Sequence, residues 1–146
     1  MAGKLLLMVL VAFVGSAAAD DLSQRTNLIG TWQSQEAAGP TWILQNDGEN
    51  LHVTQLQNDQ KILDFECNTL GRECKVKDSG RDTKVSMWYS GPKLVVMETK
   101  GSEVVKRRLS AAEEGKMQVE VISIVPDRKP ELNTFVRRTE SAQTHQ

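Results

Sequence analysis

The chain has 146 residues, with 19 acidic and 18 basic side chains and a formal net charge of −1. That balance excludes a generic polyanion binder, which carries a clear basic surplus. A 39% hydrophobic share with 25% charged residues is ordinary for one folded domain and argues against a disordered chain. Only two cysteines and two histidines are present, which argues against a structural zinc cluster before any spacing is considered.

Residues 1–19 read as a secretory leader. Lys4 is the positive head, Leu5 to Val14 the apolar run, and Ala17-Ala18-Ala19 a small-residue cleavage site before Asp20. The apolar run is too short to span a bilayer, which takes roughly 20 residues in a helix. The expected product is exported, secreted or periplasmic, with no membrane span once the leader is gone. In an oxidising compartment Cys67 and Cys74 are expected to form a disulfide. Gly71, in the loop between them, is free to take a positive φ.

From Asn27 onward, short apolar or alternating runs recur with turn chemistry between them. Strands are predicted at Ile29–Gln35, Thr41–Gln45, Leu51–Gln57, Lys61–Cys67, Glu73–Lys77, Lys84–Tyr89, Leu94–Thr99, Glu103–Leu109, Met117–Val125 and Leu132–Arg138. Asp47-Gly48 is the expected centre of the hairpin that joins the second and third. No stretch shows sustained helical periodicity, and Ser110–Glu114 is too short to stand as a helix. The fold class is therefore all-β, an antiparallel meander over residues 20–138. Closure into a barrel of about 8–10 strands removes the exposed edges, and a two-sheet sandwich is the alternative. Residues 139–146 are polar and expected to be disordered.

Asn27-Leu28-Ile29-Gly30-Thr31-Trp32 resembles the Gly-x-Trp opening of the lipocalin and fatty-acid-binding barrels, the calycin superfamily. The resemblance implies that Trp32 closes the barrel base against an arginine of the last strand, where Arg137 and Arg138 both stand. A guanidinium over an indole contributes roughly 0.5–2 kcal/mol. Two family features are missing from the sequence: the second lipocalin motif, and the helical lid that fatty-acid-binding proteins insert after the first strand. Only Ala38-Gly39-Pro40 separates the first two predicted strands. The opening and the Phe-x-Arg close also resemble small exported bacterial proteins.

The resemblance further implies an inward arginine that meets a ligand carboxylate. Lys106-Arg107-Arg108 is the densest cationic cluster, and Arg108 is assigned that role, with Arg137 and Tyr89 as helpers. The alternative is a solvated strand face opposite Glu98 or Glu120. Trp42, Met87, Trp88 and Tyr89 are the candidate apolar lining, although Trp88 is out of phase with Met87 and Tyr89.

Catalytic motifs are missing from the chain: it has no Gly-x-Ser-x-Gly, no His-Glu-x-x-His and no glycine-rich phosphate loop. His52 alternates outward between Leu51 and Val53, the place of an ordinary surface residue. No catalytic residue, metal or cofactor is expected. The reading is a monomeric, exported binding protein for a small, mostly hydrophobic ligand. An exported interaction or inhibitor protein, with a packed barrel core and functional loops, is the alternative.

Overall fold

The computed structural model describes residues 17–78, 80–113 and 115–138. Residues 1–16 of the expected leader and the whole expected tail lie outside the described residues. One helix, α1 (Ala17–Asn27), precedes ten strands. These are β1 (Gly30–Ser34), β2 (Thr41–Asp47), β3 (Asn50–Gln57), β4 (Gln60–Asn68) and β5 (Cys74–Asp78). They continue as β6 (Arg81–Ser90), β7 (Lys93–Lys100), β8 (Glu103–Ala111), β9 (Lys116–Val125) and β10 (Glu131–Arg137). Each predicted strand overlaps one observed strand.

All ten strands belong to one antiparallel sheet in the order β4-β3-β2-β1-β10-β9-β8-β7-β6-β5. The sandwich is thereby set aside in favour of a barrel. Apart from β4 and β5, neighbours in sequence pair with each other, and the first strand pairs with the last through Trp32↔Arg137 and Ser34↔Phe135. Turn chemistry sets the register: Gly48 has φ 60° in the β2–β3 turn, and Asn58 and Asp59 are both left-handed in the β3–β4 turn. Two consecutive positive φ values match the right-handed twist of a tight hairpin, and Asn and Asp tolerate them best after glycine.

The ladder is interrupted between β4 and β5, where no strand pairing joins them. Here the Cys67–Cys74 disulfide spans the gap, with Cα atoms 6.0 Å apart. The intervening loop is anchored twice more. The Asn68 side chain accepts from the amides of Leu70 and Arg72, at 3.0 and 3.2 Å, and the Gly71 amide donates to the Met87 carbonyl at 2.8 Å. Gly71 does take a positive φ, 82°. A covalent link and a structured loop thus hold a seam that backbone hydrogen bonds leave open.

Alternation along each strand sends one set of side chains inward. Trp32, Leu44, Leu51, Val53, Phe65, Val85, Met87, Leu94, Val96, Leu109, Met117 and Phe135 form one contiguous buried cluster. At roughly 25 cal/mol per Å² of apolar surface removed from water, this cluster is the main stabilising term. The same cluster includes Trp42 and Val119.

The base is closed by α1 and the segment that follows it. Leu28 is buried, and the Trp32 indole N–H donates to its carbonyl at 2.8 Å. The Arg137 guanidinium lies 4.4 Å from the centre of the Trp32 ring and donates to the carbonyls of Ile29 and Asn27, at 2.9 and 2.5 Å. Arg137, not Arg138, is therefore the partner of Trp32; Arg138 is exposed. A second stack stands beside it, with Arg25 of α1 4.8 Å from the Tyr89 ring centre and donating to the Gly91 carbonyl at 2.7 Å. No helix among the described residues is long and apolar enough to cross a membrane.

Candidate functional site

Polarity changes along the barrel axis. The inward positions of the lower half are apolar, while those toward the far rim carry Gln55, Asp78, Thr83, Glu98, Lys100, Arg107, Glu131 and Asn133. Registers place them together: Val85 faces Glu98, Glu98 faces Val105, and Arg107 faces Val121. Two internal ion pairs result. Arg107 Nη1 lies 2.9 Å from Glu98 Oε1 and Lys100 Nζ lies 2.7 Å from Asp78 Oδ2, with all four side chains mostly buried. The first is a charge contact without an aligned N–H bond. Thr83 Oγ1, also buried, has no hydrogen-bond partner among the described residues.

Above the packed half, a cavity of about 260 Å³ opens at the rim. Its apolar wall is Trp42, Val119, Val121 and Phe135, and its polar wall includes Gln55, Arg107 and Asn133. Trp42 and Phe135 meet edge to face, with ring centroids 6.3 Å apart, which fixes both rings. A second hollow of about 170 Å³ shares Arg107, Val121 and Glu131 with the first and is bordered by Arg128 and Lys129. Arg107 thus stands as a partition at the mouth. The register irregularities at Gln55/Leu56 and Val104/Val105 bend the strands that frame it.

A larger hollow, about 690 Å³, lies at the opposite end beside the Trp32–Arg137 seal. Its lining includes Thr26, Asn27, Glu113 and Lys116, and its one arginine already covers an indole and two carbonyls. Size alone would favour this hollow. The rim cavity has the aromatic wall and the converging polar groups that recognition needs.

The candidate residues divide between the two faces of the sheet. Trp42 enters the rim cavity. Met87 is fully buried in the packed core below it, and Tyr89 lies deeper still, at the base beneath Arg25. Burial holds the Tyr89 hydroxyl above its ordinary value of 10.0, against the opposing charge of Arg25. Trp88 and Arg108 are on the outer face: Val95 pairs with both, and Arg108 Nη1 reaches Glu120 at 3.5 Å. Arg107, one residue away, takes the inward position that the sequence reading gave to Arg108. Both acidic partners considered for this cluster are used, Glu98 inside and Glu120 outside.

Sequence reasoning missed the cluster around Asp64 on the outer face of β3 and β4. Asp64 contacts His52, accepts from Thr54 at 3.2 Å and meets Lys61 at 3.3 Å. The His52 hydrogen bond, followed by Lys61, holds the Asp64 carboxyl below its ordinary range despite some desolvation. The β3–β4 pairing places His52 opposite Glu66 and Thr54 opposite Asp64. Alternation put His52 outside, but only the register, with its irregularity at Gln55/Leu56, brings Thr54, Lys61 and Asp64 to it. No metal-binding group of three or more histidine, cysteine or acidic side chains occurs among the described residues.

No family model and no curated protein matches the chain. Solved structures do match in fold. The REP1-NXSQ fatty acid transporter superposes with a TM-score of 0.65 at 16% identity, covering 78% of this chain and 98% of that one. A Schistosoma mansoni fatty acid binding protein in complex with arachidonic acid gives 0.64 at 15%, covering 80% and 99%. Secretory abundant heat soluble protein 4 from Ramazzottius varieornatus gives 0.64 at 12%, covering 77% and 96%. At such identities the likeness establishes the fold: a nearly closed, calycin-like barrel.

Proposed function

We propose that this chain is an exported, non-enzymatic binding protein that takes a small, mostly hydrophobic ligand at the rim of its barrel. The observation that carries the reading is the rim cavity, where Trp42, Phe135, Val119 and Val121 face Arg107 and Asn133. A concave apolar wall with few fixed polar groups is the usual form of a small-molecule site. Structural neighbours described as fatty acid transporters or binding proteins support the same use of this barrel. The Cys67–Cys74 disulfide is consistent with an oxidising destination, periplasmic or extracellular. On this reading Trp42 and Arg107 hold the ligand, and Met87 belongs to the packed core rather than to the cavity wall.

The test is a titration with fatty acids and retinoids of graded size, followed by tryptophan emission. Short and medium ligands should shift or quench the signal, and Trp42→Phe should remove most of the response. An unchanged spectrum across the panel would contradict the reading.

The packed lower half favours one other reading, an exported interaction or inhibitor protein that works through its loops. The Cys67–Cys74 loop is the best candidate surface, since Leu70 is exposed while its backbone is anchored. Such a protein would give no ligand response.

A further inference from the structure

The charges inside the rim bear on the chemistry of the ligand's polar end, and this step rests on the ligand-binding reading above. Arg107 is the one cationic side chain in the wall of the larger rim cavity, and it is already matched by Glu98 at 2.9 Å. Glu98 stands behind Arg107 rather than in that wall, whose acidic members are Glu36 and Glu131, both exposed at the edge. The remaining polar members, Ser34, Gln55 and Asn133, are uncharged and can both donate and accept. We infer that the Arg107–Glu98 pair selects a ligand with an uncharged, hydrogen-bonding polar end, such as an amide, over a free carboxylate.

The physical argument concerns what each head group must displace. A carboxylate can reach Arg107 only by ejecting Glu98 or by sitting beside it. Ejection leaves a mostly buried carboxylate without its counter-ion, and crowding places two like charges on one cation. An ammonium head has the converse difficulty, because it approaches the Arg107 guanidinium. An amide needs neither change. Its oxygen accepts from Asn133, Gln55 or the free N–H groups of Arg107, and its N–H donates to the side-chain carbonyl oxygens. Arg128 and Lys129 stand at the neighbouring hollow's edge, in solvent, where pairing with an anion contributes little. The small volume of the cavity suits a chain of medium length.

Competitive titration with decanoate, decanamide and decylamine against a displaceable fluorescent probe separates the cases. The protein is used as the full mature chain at neutral pH. Decanamide should bind at least tenfold tighter than either charged analogue. Glu98→Gln should then narrow or reverse the gap between decanamide and decanoate, because Arg107 is freed. Equal or tighter binding of decanoate or of decylamine by the unmodified protein would overturn the inference while leaving the binding reading intact. If none of the three binds, and the fatty acid and retinoid titration is also silent, the binding reading itself fails. The comparison among analogues on the unmodified protein stands even if the Glu98→Gln substitution impairs folding.

Discussion

At Arg137 a single guanidinium covers the Trp32 ring and donates to two carbonyls of the segment that enters β1. Gly30 leaves room for it: a Cβ there would collide with Arg137 Nη1, and its φ of 143° is one that side-chain-bearing residues rarely adopt. Gly30→Ala should therefore cost about 1–3 kcal/mol. Urea unfolding checks this; an unchanged midpoint would mean that Arg137 is not held as described. The pairing of a glycine, a tryptophan two residues later and a terminal arginine was legible in the sequence. The choice between Arg137 and Arg138 was not, because alternation gives each a face without saying which face is inside.

Arg107 and Arg108 show the same limit. Period-two alternation separates them, and only the register with Val121 and Glu120 tells which one enters the barrel.

The outer cluster around Asp64 adds a pH dependence whose sign follows from its two shifted groups. The Asp64 carboxyl is lowered from 3.8, chiefly by its hydrogen bond to His52, so it contributes stability that is lost as pH falls below that value. Glu66 is raised from 4.5, chiefly by its hydrogen bond with Asp47, so its ionised form opposes folding until pH falls through the raised value. Stability should rise slightly as Glu66 takes up its proton, then decline as Asp64 does. Both groups are solvated, so the effects are small. Asp64→Asn should remove the lower limb, which chemical denaturation across the acid range will show.

At the level of elements, the seam between β4 and β5 is the weak point of the barrel, and the disulfide lies on it. Replacing both Cys67 and Cys74 with serine should cost about 2.5 kcal/mol from loop closure alone. The loss should be local as well as global. Amide exchange in β4 and β5 should accelerate more than in β1 or β10, which have partners on both sides. Uniform acceleration across the sheet would contradict the assignment of the seam. The ten strands were legible because each carries its own alternation and is bounded by Gly, Pro, Asn or Asp. The interruption was not, since strand β5 has only five residues and nothing in its sequence says that its neighbour is missing.

Helix α1 was missed for a related reason. Its stretch from Asp20 to Asn27 is polar and has little amphipathic pattern of its own. It is held by docking, through Arg25 on Tyr89 and Gly91, and long-range contacts of that kind leave no local signature.

On the scale of the whole molecule, the barrel is divided along its axis. Its base is sealed by two cation–aromatic stacks and its lower half is packed. Its rim holds the cavity in which an aromatic wall meets converging polar groups, while the larger hollow at the base lies beside the seal and has polar edges. The missing helical lid is consistent with this division, as only residues 35–40 join β1 to β2 and they border the cavity directly. Fold class and closure followed from strand count and edge protection. The site did not, because which half of a barrel is left unfilled depends on side-chain volumes summed over ten strands.

The central claim is that ligand enters at the rim. Amide chemical-shift mapping of the labelled protein with saturating decanamide tests it most directly. Shifts should cluster at residues 33–42, at Gln55 and Arg107, and at 119–121 and 131–135. Shifts confined to the base hollow around Thr26, Glu113 and Lys116, or to the Cys67–Cys74 loop, would contradict it.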